Sequence, residues 1–119
     1  MRNVLFVAFG GAFGSVFRYL VSQWIPRASA GDFPWATFGI NLLGSFLIGL
    51  VIGKLGPEDT TLRLLLITGF CGGFTTFSAF AYETLQLLQG GHYFLAFSYV
   101  AGSVFFGITL VGVGVRIFS

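Results

Sequence analysis

Apolar positions in this chain fall into four continuous runs, at about residues 4–24, 35–55, 62–88 and 93–118, with prolines, glycines and charges gathered between them. About 20 residues at a rise of 1.5 Å cross some 30 Å of hydrocarbon. The pattern therefore predicts an all-α membrane protein: one transmembrane domain over residues 1–119, made of four helices. Transmembrane strands would instead read as alternating segments of about ten residues. The connections are short and carry Pro26, Gly31 and Pro34, then Pro57, then Gly90 and Gly91, so each helix runs antiparallel to the next. The amino end imitates a secretory leader, with Arg2, an apolar stretch and Ala28-Ser29-Ala30. Arg18 directly after the apolar stretch, Pro26-Arg27 before the candidate cleavage site and three later spans favour a retained first helix.

The polar positions inside those runs are the informative ones. Gly72-Gly73-Phe74-Thr75-Thr76-Phe77-Ser78-Ala79-Phe80 sets two glycines and three hydroxyls in the middle of the third run. This predicts a helix broken near its middle, and non-helical backbone at that depth is tolerated only where it is buried in protein or lines a wet cavity. In the second run Thr37, Asn41 and Ser45 recur every fourth position and share one face. An unpaired amide or hydroxyl in an apolar medium costs roughly 2–7 kcal/mol, so the stripe must meet other polar groups or water. Hydrogen bonding between helices and a pore lining both account for it. The fourth run adds Tyr99 and Ser103, again four apart, and Thr109. Phe77 and Phe80 follow the break on one face. Rings at that spacing are ordinarily core or lipid-facing, but a ring edge carries partial positive charge and favours an anion where it meets a cavity.

Composition narrows the classes. With 55% apolar and 8% charged residues, and a mean hydropathy of +0.90, the chain has too little polar surface for a soluble domain. Neither a catalytic domain nor a nucleic-acid partner is expected; the chain should act within the bilayer. Arg2, Lys54, Arg63 and Arg116 fall on the side of both termini and Arg18 and Arg27 on the other, a bias of four to two. That puts the termini in the cytoplasm only weakly and leaves insertion both ways, with pairing to an inverted copy, open. Small residues four apart (Gly10 and Gly14; Ser45, Gly49 and Gly53; Ser98 and Gly102; Ser103 and Gly107) serve close helix packing, within the chain or between copies. Arg18 either snorkels to the interface or stands in an aqueous vestibule. Cys71, the one cysteine, reads as a small apolar filler, and His92 as a surface residue in a short loop. Glu58 and Asp59 read as the amino-terminal start of the third helix. Glu83 is the one embedded acid and is expected near the interface. A donor-rich, acid-poor interior favours an anion path over a cation carrier.

Three stretches carry a family resemblance. Gly10-Gly11-Ala12-Phe13-Gly14-Ser15-Val16-Phe17-Arg18-Tyr19, Asn41-Leu42-Leu43-Gly44 and Gly69-Phe70-Cys71-Gly72-Gly73-Phe74-Thr75-Thr76-Phe77-Ser78 resemble the first three helices of the small bacterial fluoride channels, the Fluc or CrcB family. The resemblance implies an antiparallel, dual-topology homodimer in the bacterial inner membrane. It implies two fluoride pores, passive fluoride export that confers resistance, and a structural sodium ion held by backbone carbonyls matching Gly72 and Thr75. The family's pore phenylalanines match Phe77 and Phe80, its pore asparagine Asn41, its polar track Thr37, Tyr99 and Ser103, and its first-helix arginine Arg18. Where the family can carry a second fourth-helix serine, this chain has Gly107, leaving Thr109 or water to complete the track. The competing readings are a small dual-topology multidrug exporter, which wants a glutamate in the first helix, and a membrane scaffold that moves no ion.

Overall fold

In a computed structural model the chain is described over residues 1–26, 29 and 31–118. Arg27, Ala28, Ala30 and Ser119 lie outside these, and with them the Arg27 charge and most of the leader-like cleavage site. The first span is α1 (Arg2–Trp24) and the second α2 (Trp35–Lys54). The third runs through α3 (Thr60–Arg63), a π-helical stretch (Leu64–Cys71), α4 (Gly72–Phe74) and α5 (Phe77–Gln89); the fourth is α6 (Tyr93–Phe118). Among the described residues four helical stretches, of 23, 20, 30 and 26 residues, are long and apolar enough to cross a membrane. The longest dimension, 48 Å, exceeds a hydrocarbon core of about 30 Å.

Local chemistry sets the ends of these helices. Pro34 precedes α2, and after Leu55 closes on the Val51 carbonyl the chain turns at Gly56-Pro57. Asp59 occupies the N-cap position of α3 but its carboxylate accepts from the Gly56 N–H at 2.9 Å, closing the turn instead of capping the helix. At the end of α5, Gly91 takes φ +79°, while the His92 N–H reaches Leu87 O and the Gly91 N–H reaches Leu88 O. This is a Schellman closure, and the left-handed residue it needs is why glycine stands at 91. The His92 ring then lies over Gly31 of the α1–α2 loop, where an added Cβ would come within 2.9 Å of it.

Glycine also decides how closely the spans meet. A Cβ on Gly10 would strike the Leu65 carbonyl, and one on Gly14 the Phe70 carbonyl, so α1 lies backbone to backbone against the π-helical stretch. Gly49 and Gly53 of α2 stand in the same way against Val111 and Val115 of α6. These small-residue faces are therefore spent on seams within the chain. α2 and α6, the second and fourth spans of an up-and-down bundle, run parallel, and Ser45 faces Gly107 in the same register that sets Gly49 against Val111. Their opening turns meet in an aromatic cluster in which Phe33, Phe38 and Phe80 surround the fully buried Tyr99.

Candidate ion pathway at the helix break

The third span is interrupted at Thr75 and Thr76, both in extended conformation, as the double glycine and hydroxyl run predicts. An unbroken helix would close the Thr76 N–H on Gly72 O and the Ala79 N–H on Thr75 O. Here the Thr76 N–H donates to Asn41 Oδ1 at 2.9 Å, and the Ala79 N–H donates to Thr76 Oγ1 at 3.2 Å, an N-cap for α5. The carbonyls of Gly72 and Thr75 are thereby released from those helical partners. Gly73 O, likewise past the end of the helical ladder, accepts from Arg18 Nε at 3.0 Å. Arg18 thus turns its Nε inward to the break.

Asn41 holds the break from the other side. Its Nδ2 donates to Thr76 O at 3.1 Å while its Oδ1 accepts from Thr76 N–H, so one amide pairs with both backbone groups of the unwound residue. One Nδ2 proton remains. Thr75 Oγ1 donates back to Cys71 O at 2.9 Å, and the Thr76 and Ser78 hydroxyls stand 3.4 Å apart.

A groove of about 350 Å³ opens at this point, lined among others by Asn41, Ser45, Gly72, Thr75, Thr76 and Phe77. Phe77 is 78% exposed although it stands in the middle of a span. Its ring centroid is 5.8 Å from that of Phe80, which in turn lies 4.8 Å from Tyr99. The two phenylalanines therefore connect the groove with the buried aromatic cluster.

Beyond Phe80 the polar track changes character. Thr37 Oγ1 donates to Glu83 Oε2 and Tyr99 OH donates to Glu83 Oε1, both at 2.9 Å. Thr37 and Glu83 also line a cavity of about 1100 Å³ that reaches Ser22, Asp32 and His92 at one end of the bundle. The sequence places Glu83 near the interface and outside the track. Yet it lies at the meeting point of Thr37 and Tyr99, on the α5 face of Phe80 and Leu87, and that spacing is the signal that could have found it. Ser103 Oγ, one turn after Tyr99, is buried without a hydrogen-bond partner. Thr109 does not complete the track: it is exposed and its hydroxyl donates to Phe105 O in its own helix at 2.7 Å. Among the described residues no three His, Cys, Asp or Glu side chains converge as a metal site.

Comparison with known proteins gives the family. The profile of one family, described as CrcB-like protein, Camphor Resistance (CrcB), matches residues 5–115. A fluoride-specific ion channel FluC of Leptospira interrogans is 48% identical over 117 residues, covering 96% of this chain and 92% of that relative. The protein of the same name from Chlorobaculum tepidum is 54% identical over 112 residues, 91% of this chain and 87% of its own. That from Thermus thermophilus is 48% identical over 122 residues, 98% and 94%. With near-complete coverage on both sides and four apolar helical spans, one of them bent at its middle, the chain is a multi-pass membrane protein and belongs to the CrcB-like family.

Proposed function

We propose that the protein is a fluoride-selective channel of the bacterial inner membrane that lets fluoride leave the cell passively, and not an enzyme. The observation that carries this reading is the groove at the break, where the Asn41 amide, the Ser45 and Thr76 side chains and the Phe77 ring share one wall with no acid among them. Fluoride is small and strongly hydrated, so a selective path must replace its water with donors that still release it. Amide, hydroxyl and ring-edge donors do so without a lysine or arginine side chain in the wall to trap the ion. Hydrogen fluoride crosses lipid uncharged and dissociates inside, which leaves an outward fluoride gradient and makes passive flow sufficient for resistance.

Beyond Phe80 the donors are engaged. Thr37 and Tyr99 each have one hydroxyl proton and give it to Glu83. Fluoride passing this level competes with the Glu83 carboxylate for those protons, and the large cavity beside Glu83 supplies water and room for the side chain to yield.

The working unit on this reading is an antiparallel, dual-topology homodimer with two pores. The polar break is poorly suited to lipid, and a second, inverted copy seated on the groove would cover it and bring in its own Phe77. A structural sodium ion fits the donors of the same wall. The carbonyls of Gly72 and Thr75 are hard oxygens released from the helical ladder, and two copies would supply four. When bound, the ion would hold the two breaks together.

The multidrug-exporter reading draws on one observation, the embedded Glu83, but α1 holds no acid. Fluoride efflux from reconstituted vesicles separates the readings. Asn41→Ala and Phe80→Ile should each cut efflux by at least tenfold from the wild-type rate; a scaffold would show no efflux to cut, and unchanged rates in both variants would contradict the pathway.

A further inference from the structure

The parallel packing of α2 on α6 sets Thr37 level with Tyr99, Asn41 level with Ser103 and Ser45 level with Gly107, each pair offset by the same number of positions. These three levels differ in what their polar atoms are doing. At the first, both hydroxyls are spent on Glu83. At the second, Asn41 is engaged by Thr76 while Ser103 Oγ is buried with no partner. A buried hydroxyl left unpaired costs about 1–3 kcal/mol and calls for an explanation by an unseen water, ion or function.

At the third level α6 offers only Gly107, but the space is not apolar. A Cβ placed on Gly107 would have Ser45 Oγ as its one neighbour within 4 Å, at 3.6 Å. Ser45 also lines the groove that holds Asn41 and Phe77. The hydroxyl missing from α6 is thus present from α2, beside an open glycine and one turn along from an unpartnered serine.

We infer that Ser45 is an anion-binding residue of this pathway, and that its hydroxyl with that of Ser103 forms a two-donor station for dehydrated fluoride below Asn41, Gly107 leaving the room the ion takes. The inference rests on the fluoride reading above and goes beyond it by assigning the donor and the place. Each hydroxyl can turn its single proton to the ion. The ion would satisfy Ser103 Oγ, the one buried side-chain polar atom that the described residues leave without a partner.

The test is fluoride efflux from vesicles carrying wild type, Ser45→Ala, Ser45→Ala/Gly107→Ser and Ser45→Ala/Gly107→Ala, each first shown to be monodisperse. Losing one donor to an anion should slow efflux about tenfold. A serine at 107, placed beside the vacated hydroxyl position, should restore the rate to within about threefold, whereas alanine at 107 should not. Ser45→Cys, similar in size and a weak donor, gives the same reading if the alanine variant fails to fold. Efflux by Ser45→Ala at the wild-type rate, or rescue by alanine at 107 as complete as by serine, would overturn the inference and leave the channel reading standing. Absence of efflux from the wild type would remove both.

Discussion

Asn41 is the residue on which the break depends, because one side-chain amide satisfies both the N–H and the C=O of Thr76 within an apolar span. Asn41→Ala strands both groups at a cost of about 1–3 kcal/mol each, with little water available to replace the lost bonds. Thermal unfolding of the purified variant in detergent should show a lower midpoint, and fluoride efflux should be lost with it. An unshifted midpoint would mean that the backbone at Thr76 has another partner. Glu83 is held from two sides in the same way, and Tyr99→Phe removes one of its two hydroxyl donors. That change should cost about 1.5–3 kcal/mol, the usual worth of a hydrogen bond to a charged group, and should slow efflux. A variant with full flux would show that the Tyr99 hydroxyl holds Glu83 without serving the ion.

At the scale of elements, the close seam between α1 and the first half of the third span fixes where the break lies relative to Arg18. Gly14→Val should destabilise the protein by more than about 2 kcal/mol, since the new side chain has only the Phe70 carbonyl and the Phe74 N–H to push against. Gly112→Val, with open space around its Cβ, should unfold at nearly the wild-type temperature. Equal unfolding midpoints for the two would contradict the seam. The break itself is legible in the sequence, because paired glycines followed by three hydroxyls weaken a helix in the middle of an apolar run. The course of the helix beyond Thr76 is less so. Two extended residues reset the helical phase, so the face that α5 presents cannot be extrapolated from Leu64–Cys71, and the pairing of Glu83 with Thr37 and Tyr99 is hidden. The π-helical winding of Leu64–Cys71 is hidden as well, since a stretch whose one polar side chain is Thr68 carries too little periodic contrast for its pitch to be read. Arg18 reads as a residue seeking water, because a carbonyl released on another helix leaves no mark at position 18.

For the whole molecule, one chain supplies half of what the proposed channel needs: one exposed Phe77, one groove and two released carbonyls. Glycines at 10, 14, 49 and 53 are used within the chain, and the proposed dimer therefore places its partner on the groove at the break. If sodium bridges two breaks, exchanging it for a large organic cation should lower efflux and release monomers on size exclusion; indifference to the exchange would count against Gly72 and Thr75 as ligands. If the copies insert in opposite directions, a cysteine placed at Lys54 should be labelled from both sides of the membrane, and labelling from one side alone would sink dual topology. The proposed channel passes fluoride and rejects other halides. Vesicles loaded with fluoride and chloride can be diluted and each ion followed with its own electrode. Fluoride should be released rapidly, with chloride leaking no faster than from protein-free lipid. Fluoride release no faster than from empty lipid, or chloride leaving alongside it, would rule out a fluoride-selective channel.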